Sequence, residues 1–498
     1  MSALKKLAGD TMIYGVPSIV GRFLNLLLTP VYTYTFPEGK YGILSNLLAY
    51  VAFFQVLLTY GMETSYFRFA SKSDKPNEVF GTSFISLTAT SILFVLIITL
   101  FSGKISEWVG YPDQQIYIVW MGVTVALDAI TAIPFAKLRL QQRPIKFAVF
   151  KMVNIGINIV LNLFWILLCP RVLAHHPGSF LRFFYSPAIG IGYAFLAYLI
   201  ASVVTLLLFL PDLGLRTLRF KTEMLKLMLK YGWPILVVGI AGMVTLNIDK
   251  ILIPKLIESG KDPMYELGGY AASGKLAILM TVFIQAFRFS FEPFLFSHYK
   301  NEASKKVYSV IMNYFVIFGL LIFIGVIFYI DILKYFIGPR QSGYQEALKI
   351  VPWMLMGNLF LGIFYTQSLW YKLTDQTHYG AIFSVIGGII TLLINILFIP
   401  SMGYMACAIA FFVSTLMITI ISYFYGQKHF PVKYDLKKIG AYFLVAILLY
   451  IIEMNINISG FVLKYSLKTL LYSIFILFIW YLEKSDLKRL LPKRLDVD

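Results

Sequence analysis

Apolar runs recur along the whole chain, each closed by a short polar stretch. A helix of about 18 to 20 apolar residues is long enough to cross the hydrocarbon core of a bilayer. The runs predict about fourteen such helices, over residues 11–35, 42–64, 79–102, 115–136, 147–169, 186–210, 232–256, 267–291, 307–330, 347–371, 379–399, 404–425, 438–456 and 465–482. Lys5 and Lys6 precede the first run, but no small-residue cleavage site follows it, so it is read as a membrane helix rather than a removable signal. The longest outer segment, Arg171 to Ser186, is no longer than one short helix, too little for a soluble catalytic domain. The predicted class is an all-α membrane protein.

Composition agrees with lipid as the main solvent. Of the 498 residues, 59% are hydrophobic and only 14% charged, against about a quarter charged in soluble domains. The net charge of +18 would point to nucleic acid in a soluble protein, but here the basic residues are scattered through short loops, and no nucleic-acid partner is expected. An even number of spans puts both termini on one side. If that side is the cytoplasm, the inner segments carry more than twice the Lys and Arg of the outer ones, as the positive-inside rule requires. The clusters Lys137–Arg139–Arg143–Lys146, Arg216–Arg219–Lys221–Lys226–Lys230 and Lys484–Lys488–Arg489–Lys493–Arg494 carry most of this excess and suit anionic lipid headgroups. Cys169 and Cys407 lie in apolar runs and read as small buried residues. His175 and His176 lack partners at metal spacing, and no phosphate-binding loop, nucleophile elbow or zinc motif occurs, so no metal, cofactor or ATP hydrolysis is expected.

The chain repeats itself. Tyr14-Gly15-Val16-Pro17 opens span one and Tyr231-Gly232-Trp233-Pro234 opens span seven. Gln55 and Glu63 have counterparts in Gln285 and Glu292, and Leu140 to Ile166 aligns without a gap on Leu373 to Ile399. Matches in one order, at offsets of about 217 to 233, predict two six-helix lobes. Six is even, so the repeat is parallel, related by an axis along the membrane normal. The predicted domains are residues 1–215, residues 216–430, and residues 431–498 with two extra C-terminal helices and a basic tail.

The Tyr-Gly-x-Pro openings, the Asn395-Ile-Leu-Phe-Ile-Pro400 end of span eleven, the Gly403-Tyr-Met-Ala-Cys-Ala start of span twelve and the twelve-plus-two layout give the chain a family likeness. It resembles the multidrug/oligosaccharidyl-lipid/polysaccharide exporter superfamily, in particular its polysaccharide-transport branch of O-antigen and capsule-unit flippases. The resemblance covers nearly the whole chain. It implies a V of two lobes around a central cavity, alternating access, and an undecaprenyl-pyrophosphate-linked oligosaccharide turned from the cytoplasmic to the periplasmic leaflet of the inner membrane. It also implies membrane lipids and a polysaccharide polymerase or chain-length protein as partners.

Charges inside spans cost about 2.5 to 3.5 kcal/mol each on insertion scales and persist where water, a partner or a substrate meets them. Arg22, Lys151, Lys250, Lys275 and Arg288 are the basic residues within spans. They are the candidates for binding a pyrophosphate, which needs cationic donors and fits the planar fork of Arg; the competing reading is internal salt bridges. Lys151, Asn154, Asn158 and Asn162 are spaced 3, 4 and 4 apart and form one polar stripe on span five. The stripe faces either an aqueous path, where amides suit sugar hydroxyls, or a neighbouring helix. Asp128, Asp249, Glu63 and Glu292 are the candidates for proton or sodium coupling, and Asp249 more readily forms a structural pair with the adjacent Lys250.

The favoured expectation is a flippase for lipid-linked sugar with a cationic cavity, and not an enzyme. The alternative is a cation-coupled antiporter that exports drugs or metabolites; it calls for an acidic or apolar cavity. A membrane polymerase or ligase, the third reading, calls for a large reactive outer loop that the chain lacks.

Overall fold

A computed structural model describes the backbone of residues 2–214, 218–258, 260, 262–298, 302–374, 376–456, 458 and 460–490. Side chains are described for all of these except 2–14, 16, 18, 290–298, 302–306, 369 and 485–490. Helices occupy all fourteen predicted positions: α1 Ser2–Thr35, α2 Glu38–Thr59, α3 Pro76–Leu100, α4 Gln115–Leu140, α5 Pro144–Asn162, α6 Gly192–Phe209 and α7 Thr222–Leu256. The remainder are α8 Pro263–Gly274 continued by Ile278–His298, α9 Glu302–Phe328, α10 Val351–Gln367, α11 His378–Met402, α12 Tyr404–His429, α13 Leu436–Met454 and α14 Phe461–Leu490. Among the described residues 12 helices are long and apolar enough to cross a membrane, and there is no strand. The chain is a multi-pass, all-α membrane protein.

Local chemistry sets the ends of these helices. Pro76, Pro144 and Pro263 occupy first-turn positions, where the missing N–H costs nothing. The Asp262 side chain accepts from the Met264 N–H and that of Asp435 from the Lys438 N–H, capping α8 and α13. The helices are less continuous than the hydropathy runs. The run over 42–64 breaks at Tyr60–Gly61, both in the left-handed region, and restarts as a short helix Met62–Ala70. α5 passes through a π-helical turn, Leu163–Leu168, before ending in Cys169–His175. α8 tightens into a 3₁₀ turn at Lys275–Ala277.

Packing repeats at a shift of six helices. α1 packs on α5, α5 on α6, α6 on α4 and α4 on α3; likewise α7 packs on α11, α11 on α12, α12 on α10 and α10 on α9. The two sets meet chiefly along α2, which packs on the first half of α8 and on α7, and where α1 meets the second half of α8. Wedged there, α2 is buried on several faces, at Tyr41, Gly42, Leu44, Ser45, Asn46, Leu47 and Ala49. By contrast, Ile92, Leu93, Leu96 and Leu100 of α3 are exposed, as suits a lipid-facing stripe.

Glycine permits the contact between α2 and α8. A Cβ on Gly42 would collide with the Met264 carbonyl, and one on Gly268 with the Glu38 carbonyl. Both obstacles are backbone, so no rotamer change relieves them. At the other end of α2, Gly61 and Gly232 bring the α2 turn against α7 in the same way.

α13 packs on α9, and α14 is fastened to it at both ends by ion pairs. Lys468, fully buried, lies 2.8 Å from Glu453 and 3.4 Å from Asp331 of the short helix Ile330–Ile337. Glu483, 3% exposed, accepts from Lys438 at 3.1 Å and from the Tyr442 hydroxyl.

In a helix interior Ala is normally preferred over Gly by about 1 kcal/mol. Here the sign reverses: Gly42→Ala or Gly268→Ala is expected to lower the thermal midpoint in detergent, with overpacking costing about 1–3 kcal/mol. Gly440→Ala, with nothing within 4 Å of its Cβ, is expected to leave the midpoint unchanged or raise it. A second expectation concerns acid. Burial works to raise the Asp331 pKa, but the hydrogen bond from Lys464 and the charges of Lys468, Lys464 and Lys334 outweigh it and hold the carboxyl below its ordinary value. Its stabilising effect is therefore full above the ordinary carboxyl value of about 4 and is lost as pH falls through the lowered one. Melting curves between pH 6 and 3 should show a steeper loss for the wild type than for Asp331→Asn.

Candidate functional site

The space between the two sets of helices holds a cavity of 390 Å³. Its walls come from α1, α2, α6, α7, α8, α10, α11 and α12, so it belongs to neither set alone. Three features make it polar: the second half of α7, the 3₁₀ turn of α8, and a group of amides.

α7 contributes Asn247, Asp249 and Lys250. Lys250 Nζ lies 3.3 Å from Asp249 Oδ1, 3.4 Å from Asn247 Oδ1 and 3.2 Å from the Leu246 carbonyl oxygen. Asp249 Oδ1 also accepts from the Lys250 backbone N–H at 2.8 Å, and its Oδ2 accepts from the Tyr270 hydroxyl. The carboxylate is thus held from two sides and largely neutralised. Asn46 of α2, 2% exposed, donates to the Lys250 carbonyl at 2.6 Å and accepts from Tyr111 at 3.0 Å, fixing α2 against this stretch of α7.

The 3₁₀ turn of α8 contributes Lys275. Among the described residues its ammonium makes no hydrogen bond and no ion pair, and Lys250 is its charged neighbour. With Lys250 paired to Asp249, Lys275 leaves this wall with a net positive charge. The amides Asn25, Asn358 and Asn395 line the same space from α1, α10 and α11.

A second basic pair stands apart from this cavity. The Arg288 guanidinium lies 4.4 Å from the centroid of the Tyr365 ring. Arg22 is exposed, makes no hydrogen bond or ion pair among the described residues, and has Tyr365 and Arg288 as its electrostatic neighbours. The four cations therefore fall into two groups, Arg22 with Arg288 and Lys250 with Lys275. α1 and α8 bring the first pair together across the two sets of helices.

The polar stripe of α5 goes elsewhere. Lys151 Nζ lies 4.1 Å from the centroid of the Phe135 ring of α4 and close to Asp128. Asn154 donates to Thr205 of α6 at 2.9 Å. Asn158, 3% exposed, meets Asn25 of α1 at 3.5 Å. Asn162, fully buried, accepts from the Tyr32 hydroxyl at 2.8 Å and donates to the Asn158 carbonyl at 2.7 Å. The helical spacing does place these residues on one face, but α4, α6 and α1 cover that face. Lys151, Asn154 and Asn158 are not among the residues lining the cavity. Asp128 accepts from Ser202 at 2.7 Å within the same packed region. Glu63 pairs with Arg139 on the short helix after α2, half-exposed and outside the cavity. The side chain of Glu292 lies outside the described residues.

The sequence did not mark Asn46, Asn247, Tyr270 and Asn358, and it marked Asn395 as part of a motif but not as a site residue. One signal was available for Asn395: the internal repeat aligns it with Asn162.

The described residues form a multi-pass all-α membrane protein with a polar cavity between two repeated helix sets. A family model described as "Polysaccharide biosynthesis protein" matches residues 7–291, more than half of the chain, and the chain belongs to that family. No curated protein matches. Among solved structures, the lipid II flippase MurJ in an inward closed conformation is similar, with a TM-score of 0.71 and 14% identity over 94% of this chain and 99% of that one. An inward-facing multidrug resistance MATE family transporter of the MOP superfamily gives 0.54 and 14% over 86% and 94%. A MOP superfamily transporter from Pyrococcus furiosus, with a reverse polarity of its binding pocket, gives 0.59 and 13% over 86% and 98%. At these identities the likeness is one of fold.

Tyr32→Phe removes the donor that Asn162 Oδ1 uses. Leaving a buried acceptor unmatched costs about 1–3 kcal/mol, so a lowered thermal midpoint is expected. Tyr34→Phe, at an exposed hydroxyl, is expected to cost less.

Proposed function

We propose that this protein is a flippase. It carries an undecaprenyl-pyrophosphate-linked oligosaccharide from the cytoplasmic to the periplasmic leaflet of the inner membrane, with both termini cytoplasmic. The observation that carries the reading is Lys275, a cation set at the 3₁₀ turn of α8 in the central cavity without a protein counter-ion among the described residues. A charge so placed costs several kcal/mol unless an anion or water meets it, and a pyrophosphate supplies that anion. Arg22 and Arg288 hold a second cationic position, from which a headgroup would pass to Lys250 and Lys275.

Residues 1–215 and 216–430 are the two lobes of this reading, and α2 against α8 is the contact that opens at the outer end to release cargo. The membership in a polysaccharide biosynthesis family supports a sugar-bearing cargo. Asp249 is held by Lys250 and Tyr270, so the cavity favours an anionic cargo over the cationic one of the antiporter reading. Without a reactive outer domain, the protein acts on position rather than on bonds, and so is not an enzyme. Membrane lipids surround it, and a polymerase or chain-length protein would take up its product.

The test is leaflet exchange in liposomes holding the purified protein and a fluorescent undecaprenyl-pyrophosphate-linked sugar, read by quenching of the outer-leaflet label. Lys275→Ala is expected to slow exchange about tenfold or more, the effect of losing about 1.4 kcal/mol of headgroup stabilisation, and Lys275→Arg to retain most of it. Unchanged exchange in Lys275→Ala, or none in the wild type, would remove the reading.

A further inference from the structure

The internal repeat allows one half of the molecule to be compared with the other at equivalent positions. Asn162 of α5 and Asn395 of α11 are equivalent, and both are fully buried. Their surroundings differ. Asn162 accepts from Tyr32 and donates to the Asn158 carbonyl and to Asn158 Oδ1. Among the described residues both Nδ2 and Oδ1 of Asn395 are without a partner.

The reason lies in two exchanges. The position equivalent to Asn158 is Thr391, and its shorter side chain donates to its own helix, to the Gly387 carbonyl at 2.9 Å. The position equivalent to Tyr32, 217 residues on, is Asp249, which is turned to Tyr270 and the Lys250 N–H. The Tyr32 hydroxyl and the Asn158 side chain have no counterpart in the second half, and among the described residues Asn395 Nδ2 does not bond the Thr391 carbonyl either. A primary amide offers two donors and two acceptor sites, and a buried one left unmatched is destabilising. Asn395 lines the cavity that also holds Lys250 and Lys275.

We infer that Asn395 is a specificity-determining residue that hydrogen-bonds the sugar of the cargo next to its pyrophosphate. This rests on the flippase reading above. The chemistry fits a neutral group that both donates and accepts, such as a sugar hydroxyl or an acetamido group. Thr391 and Asn358 stand in the same wall, but Asn358 Nδ2 is already committed to the Met354 carbonyl at 2.8 Å. Among the described residues Asn395 leaves both of its polar side-chain atoms unclaimed, whereas Thr391 Oγ1 and Asn358 Nδ2 are bonded to their own helices.

The experiment compares two probes on the full-length protein in nanodiscs: undecaprenyl pyrophosphate, and the same carrier bearing one N-acetylglucosamine. The wild type is expected to bind the glycosylated carrier about tenfold more tightly, the effect of one or two net hydrogen bonds. Asn395→Leu, close in shape, is expected to cut that ratio to about twofold or less, with a smaller change in the Kd of the bare carrier, and to leave the thermal midpoint of the empty protein the same or higher, because an unmatched buried amide is destabilising. The midpoint separates the roles, because an amide with structural partners would destabilise the empty protein when replaced.

Equal binding of the two lipids by the wild type overturns the inference and leaves the headgroup reading intact, as does a ratio unchanged in Asn395→Leu. A variant that loses affinity for both lipids equally also overturns it. If neither lipid binds the wild type, the flippase reading fails and the inference fails with it.

Discussion

Where water is scarce, every polar group must find its partner within the protein, and this constraint organises the molecule. Most of the polar groups placed inside the helices obey it. Lys468 meets Glu453 and Asp331, Glu483 meets Lys438 and Tyr442, Asp128 meets Ser202, and Asn162 meets Tyr32 and Asn158. These contacts tie helices together, α14 to α13 and α5 to α1. Several groups depart from the pattern among the described residues, Ser91, Asn313 and Ser422 among them; Lys275 and Asn395 are the departures that line the central cavity together. A charge without a counter-ion and an amide without a partner are tolerable where a third party or water completes them.

α2 approaches α8 closely beside the cavity. Gly42 and Gly268 allow backbone to meet backbone there, which brings the two helix sets together at the start of α8. The 3₁₀ turn of α8 at Lys275 follows within two turns of Gly268. The placement of the lysine is therefore tied to the same contact that joins the sets. Asn46 adds a second tie, from α2 to the Lys250 carbonyl. Movement of α2 away from α8 and α7 would disturb the surroundings of both lysines at once, which links cargo binding to access in the proposed cycle.

The sequence by itself determined the class of protein and the order of its helices. Apolar runs of bilayer length leave a chain few alternatives, and each predicted run is found as a helix. It also carried the repeat, visible in the Tyr-Gly-x-Pro openings and the alignment of Asn162 with Asn395, because duplicated packing keeps similar residues at similar places. It marked Lys250, Lys275, Arg22 and Arg288 as costly charges. It left undecided which way the α5 stripe faces, since helical spacing puts residues on one side without saying which helix covers it. Only the tertiary structure turned Lys151, Asn154 and Asn158 towards α4, α6 and α1, tightened α8 at Lys275, and left Asn395 unmatched where its repeat partner is satisfied. Such outcomes depend on contacts between residues tens to hundreds of positions apart, as between Tyr32 and Asn162. Hydropathy is summed along the chain, so it cannot register them.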